Sequence, residues 1–74
     1  MHLARVFRAH HGVTIGGYVR RLRLEWAAAQ LRSGDEPLAV LAARAGFADQ
    51  SHFTRAFKAY AGVTPGRYRS LARR

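Results

Sequence analysis

Residues 38–62 read LAVLAARAGFADQSHFTRAFKAYAG. Leu38, Leu41, Ala42 and Ala45 recur at helical spacing, and Gly46 then interrupts the run. Phe53, Ala56, Phe57 and Tyr60 stand at i, i+3, i+4 and i+7, one apolar stripe of a second helix. Asp49 occupies the position of an N-cap, and Gly62 suits the left-handed conformation that ends a helix. A short helix, a turn whose Gly46 can adopt positive φ, and an amphipathic helix make a helix-turn-helix unit. Ala42 is small enough to let the two helices approach closely. Phe47 is expected to fold back beside Phe53 and Phe57.

With Phe53 and Phe57 turned inward, Ser51, Arg55 and Lys58 point outward, flanked by Gln50, His52 and Thr54. Gln can pair bidentately with adenine, and Arg with O6 and N7 of guanine. Recognition helices use their N-terminal residues on base edges, which is where Gln50, Ser51 and His52 fall, with Arg55 one turn on. An ordinary solvated helix face carries the same residue types, so this stretch alone leaves both readings open.

The second helix is half of a repeat. Offset by fifty residues, His2, Arg5, Phe7, Gly12, Thr14, Gly16, Tyr18 and Arg23 match His52, Arg55, Phe57, Gly62, Thr64, Gly66, Tyr68 and Arg73. Each copy reads as a helix, a Gly stop, a Thr cap and a new helix, so one supersecondary unit is used twice. In the second copy Pro65 follows Thr64 at the first helical position, where its missing N–H costs nothing. After Thr14 the longest helical stretch runs over 15–31, with Ile15, Tyr18, Val19, Leu22, Trp26 and Ala29 as the expected apolar face. Ser33-Gly34 stops it, GDEP makes a short loop, and Pro37 opens the next helix. Five helices and no strand are expected.

Charge points the same way. The formal net charge is +9 on 74 residues, with thirteen basic residues against four acids. A polyanionic partner is the implication. All basic residues but Lys58 are Arg, which fits bidentate phosphate and base contacts and equally fits a GC-rich genome. Glu25, Asp35, Glu36 and Asp49 all lie in the middle of the chain, where only Arg32 and Arg44 oppose them. The two repeat copies are the basic parts.

The stretch LAARAGFADQSHFTRAFKAYAGVTPGRYR resembles the C-terminal signature of the AraC/XylS transcriptional regulators. The matching pattern is A-x-x-x-G-F, S-x-F-x-R-x-F and G-x-T-P-x-x-Y-R, with the resemblance strongest over 38–69 and extending back to residue 2. It implies an all-α fold: a homeodomain-like three-helix unit joined by a long linker helix to a partial first helix-turn-helix. Residues 1–12 would be the remnant of the first unit, 13–34 the linker helix, and 35–74 the second unit with its C-terminal helix. Carried over by position, Gln50, Ser51 and Arg55, with His52 beside them, would face bases. Arg5, the repeat partner of Arg55, would do so in the first unit. Phosphate contacts would fall to Thr54, Lys58, Arg20, Arg67 and Arg69. The implied partners are double-stranded DNA and RNA polymerase, in a bacterial cytoplasm at the nucleoid. No cofactor is implied.

The matching pattern starts inside the first unit, so the expectation is that Leu3, Val6 and Phe7 would be without the scaffold helix they normally pack against. Exposing such side chains forfeits roughly 1.5–3 kcal/mol each, and fraying or self-association of 1–12 is the expectation. No effector or dimerisation domain is expected within this chain. Other chemistry finds little purchase. His10 and His11 are adjacent and point to different helix faces, with no carboxylate or thiol at ligand spacing. Ser51 and His52 diverge by about 100° on a helix, and no acid is placed to orient the imidazole, so no catalytic site is read. No apolar run approaches the roughly 20 residues that span a bilayer. The competing readings are a basic fragment that binds DNA without sequence preference, and a protein-interaction piece. A cationic membrane-surface helix would not need the Gly, Pro and cap punctuation.

Overall fold

The computed structural model describes residues 14–73, and every regular element in that span is helical. In order these are α1 (Ile15–Ser33), α2 (Leu38–Arg44), α3 (Gln50–Ala61) and α4 (Pro65–Ala72). The segment 1–12, with the expected fifth helix, Arg5 and the His10-His11 pair, lies outside the described residues.

Side-chain caps set three of the helix starts. Thr14 Oγ1 accepts from the Gly17 N–H at 3.0 Å, Asp49 Oδ1 from His52 N–H at 2.7 Å, and Thr64 Oγ1 from Arg67 N–H at 3.2 Å. Each satisfies one of the backbone donors that a helix N-terminus leaves without an intrahelical partner. α2 begins without a side-chain cap, behind Pro37. The α2–α3 turn passes through Gly46 at φ +90°, and α3 ends at Gly62 at φ +85°, whose N–H donates to Lys58 O at 2.8 Å. Both glycines hold the left-handed conformation that a Cβ opposes.

The core is shared by all four helices. Leu24, Ala27, Ala28 and Leu31 of α1 meet Leu41 and Ala42 of α2, Ala45 of the turn, and Phe53 and Phe57 of α3. Pro65 closes it from α4. Phe47 packs on Phe53 with ring centroids 5.4 Å apart, and Tyr68 sets its ring edge-on to Phe57 at 5.3 Å. Such tilted and edge-to-face pairs add about 0.5–1.5 kcal/mol each beyond area burial.

The buried face of α1 is not the expected one. Tyr18, Val19 and Leu22 are exposed, and Ile15, Trp26 and Ala29 are half-buried. The helix carries two apolar arcs on opposite sides, and both satisfy the 3.6-residue period. The arc of small residues, Ala27 and Ala28 between Leu24 and Leu31, faces α3 and α4 because it admits close approach. Trp26 sits at the rim, where the Arg44 guanidinium lies 5.1 Å from its ring centroid. Tyr60, placed on the α3 stripe by spacing, is also exposed, although its ring keeps contact with Phe57 at 6.0 Å.

Candidate nucleic-acid interface

α3 turns Phe53 and Phe57 into the core, and this orientation dictates what faces out. Gln50, Ser51, Arg55 and Lys58 are exposed, and Thr54 is half-buried. Gln50, Ser51, Thr54 and Arg55 border one shallow surface depression. The amide, hydroxyl and guanidinium groups assigned to base contact are therefore neighbours on the first two turns. The Asp49 cap holds the first of those turns in register.

His52 stands apart from that group. Its ring packs edge-on against Phe47, with centroids 5.5 Å apart and an interplanar angle of 80°. It borders a different concavity, between the N-terminal half of α1 and the α2–α3 turn, together with Arg20 and Arg23. Spacing could not reveal this, because Phe47 and α1 decide where the ring rests.

The cations sort into two sets. Arg21 pairs with Glu25 at 3.2 Å, Arg44 with Glu36 at 2.7 Å, and Arg73 with Asp35. Arg73 also donates to Gly34 O, Arg69 Nη2 to Glu36 O at 2.6 Å, and Arg32 Nη1 to Tyr68 Oη at 2.7 Å. All but the Arg21–Glu25 pair, which lies within α1, fasten the 34–36 loop and α4 to the rest of the fold. Arg69 is half-buried, with its Nε enclosed and without an acceptor. It is thus turned into the fold rather than out towards a phosphate, and Arg73 clamps the 34–36 loop. The side chains of Arg20, Arg23, Arg55, Lys58 and Arg67 have no hydrogen bond or ion pair among the described residues. All four acids of the chain are engaged: three in those ion pairs and Asp49 in its cap. The second set therefore has no carboxylate counter-ion within the described fold.

On sequence alone Arg23, like Arg20 and Arg21, could either touch phosphate or simply face solvent; its contact with Gly46 was not legible. Its guanidinium lies over the turn glycine, so that a Cβ built on Gly46 would come within 3.1 Å of both Cζ and Nε. No local pattern reports a contact between residues so far apart in sequence. The i,i+4 spacing of Arg21 and Glu25, by contrast, is a local signal from which their ion pair could have been read.

A helix-turn-helix domain family matches residues 1–71. The probable transcription factor PqrA of Proteus vulgaris is 41% identical over 68 residues, covering 92% of this chain and 56% of that protein. The multiple antibiotic resistance protein MarA of Escherichia coli is 40% identical over 68 residues, covering 92% of this chain and 54% of MarA. The chain thus spans about half the length of these relatives. Among solved structures, a transcriptional regulator from Chromobacterium violaceum, described as an AraC-type DNA-binding domain-containing protein, superposes with a TM-score of 0.91. It is 24% identical, covering 96% of this chain and 63% of that one, and carries the fold alone.

Proposed function

This chain belongs to the AraC/XylS family of helix-turn-helix transcriptional regulators, and we propose that it binds double-stranded DNA in a sequence-dependent way with α3 in the major groove. The family is one of regulators rather than enzymes, and no reaction is assigned here. The observation that carries the proposal is the outward face of α3. An Arg55 guanidinium with no partner among the described residues stands beside Gln50 and Ser51 on a helix whose inner face is locked by two fully buried phenylalanines.

In this reading Arg55 reads guanine O6 and N7, Gln50 reads adenine, and Ser51 contacts an adjoining base edge. Lys58, Thr54, Arg20 and Arg67 hold phosphates and fix the register of the helix on the duplex. Arg5, by its repeat relation to Arg55, is the corresponding base reader proposed for the first unit. A regulator that works this way meets promoter DNA and RNA polymerase at the nucleoid, and we extend that setting to this chain.

Methylation interference tests the groove assignment. Guanine N7 projects into the major groove, so its methylation should abolish binding at the base that Arg55 contacts. The Arg55→Ala variant should be indifferent to methylation at that same base. Interference at adenine N3, which faces the minor groove, would exclude the proposed docking.

A further inference from the structure

We infer that the notch between the N-terminal half of α1 and the α2–α3 turn is a phosphate seat, gripping one DNA backbone phosphodiester beside the base-reading face. The inference rests on the DNA-binding reading above. It brings in Arg23 and changes the role of His52.

Arg20, Arg23 and His52 converge on this notch from α1 and α3, with Gly46 and Phe47 forming part of its floor. No carboxylate lines it, and every acid of the chain is engaged elsewhere. Two guanidinium groups brought together without an anion raise one another's electrostatic energy, and a bound anion relieves it. The guanidinium fork matches the oxygens of a phosphate, and the imidazole supplies an N–H donor to the same group.

Two features hold the seat in shape. Gly46 has no side chain, which lets the Arg23 guanidinium lie flat over the turn. Phe47 holds the His52 ring edge-on. The repeat sharpens the contrast: Arg73, the counterpart of Arg23, has Asp35 and the Gly34 carbonyl for partners. Arg23 has no partner of either kind among the described residues. The same residue type at the same repeat position closes the fold in one copy and stays available in the other.

Location selects the ligand. His52 follows Ser51 directly and sits about 100° round the helix from it. A duplex engaged by Ser51 and Arg55 carries its flanking backbone past that side of α3. A phosphodiester held there would set the helix in register without reading sequence.

The test uses the full chain and its Arg23→Gln variant, with circular dichroism to show that both are folded. Binding is followed by fluorescence anisotropy between ~50 and ~200 mM salt, on a duplex carrying the preferred motif and on a scrambled one. Arg23→Gln should weaken both duplexes alike and flatten the log K against log salt slope by about 0.9, the loss of one phosphate contact. A scan with single methylphosphonates should find one position that weakens the wild type several-fold and leaves Arg23→Gln unaffected. Motif-selective binding with an unchanged slope and no such position would overturn the seat alone. Failure of the wild type to bind any duplex would overturn the DNA reading with it. Saturable binding of inorganic phosphate that depends on Arg23, with a flat methylphosphonate scan, would mean a free-anion site and would also overturn the proposal.

Discussion

Gly46 and Gly62 form a matched pair for testing the turn. Both are left-handed, at φ +90° and φ +85°, but a Cβ at Gly46 meets the Arg23 guanidinium whereas a Cβ at Gly62 meets nothing within 4 Å among the described residues. Placing alanine in this conformation costs roughly 1–2 kcal/mol. Restricting the unfolded chain returns about 0.4–1 kcal/mol, leaving a net loss near 1 kcal/mol for each variant. In a domain of this size that lowers Tm by about 4–8 °C. The added clash at Gly46 is with the far end of a flexible side chain, which can swing aside, so the two stability losses should agree within a few tenths of a kcal/mol. Their DNA behaviour should differ. Gly46→Ala displaces Arg23 and should flatten the salt slope as Arg23→Gln does, while Gly62→Ala should keep the wild-type slope. Thermal melts followed by circular dichroism and salt-dependent anisotropy give both readouts. Unchanged or raised stability in Gly46→Ala would refute the turn conformation. Identical slopes in the two alanine variants would refute the role given to Arg23.

Three further outcomes follow from the packing. Phe57→Ala removes a ring with no exposed surface from the centre of the core and should cost about 3–5 kcal/mol, read as a drop in urea midpoint. Asp49→Ala deletes the α3 cap and should cost about 1 kcal/mol, with faster hydrogen exchange at the His52 amide than elsewhere in α3. Arg69→Met leaves the Glu36 carbonyl without its donor and should destabilise by roughly 1–3 kcal/mol. At temperatures where Arg69→Met remains folded, its salt slope should equal that of the wild type; a flatter slope would return Arg69 to the phosphate contacts.

The α2–turn–α3 unit was legible because its signals are local and agree with one another. The Phe53/Phe57 spacing fixes the inner face of α3, the Asp49 and Gly62 caps fix its ends, and Gly46 marks the turn. The outward grouping of Gln50, Ser51 and Arg55 follows from the same spacing. The burial of α1 was not legible, since its two apolar arcs have the same period and only the neighbouring helices choose between them. Nor could sequence assign the roles of the arginines. Arg69 and Arg73 find their acceptors in the 34–36 loop, more than thirty residues upstream, and a count of positive charge treats them like Arg55. His52 shows the same limit on a smaller scale. Its position on α3 suggested base contact, while Phe47 and the cations of α1 give it a different neighbourhood.

Selection from a random duplex library at about 150 mM salt, where the Debye length is ~8 Å, asks whether this surface reads bases or merely holds charge. It should be run on the chain and on Arg55→Ala in parallel. The expected result is enrichment of a short motif by the wild type, with preference lost by the variant at one guanine-containing position. Salt-sensitive binding without enrichment, or the same motif recovered by both proteins, would contradict base reading by α3.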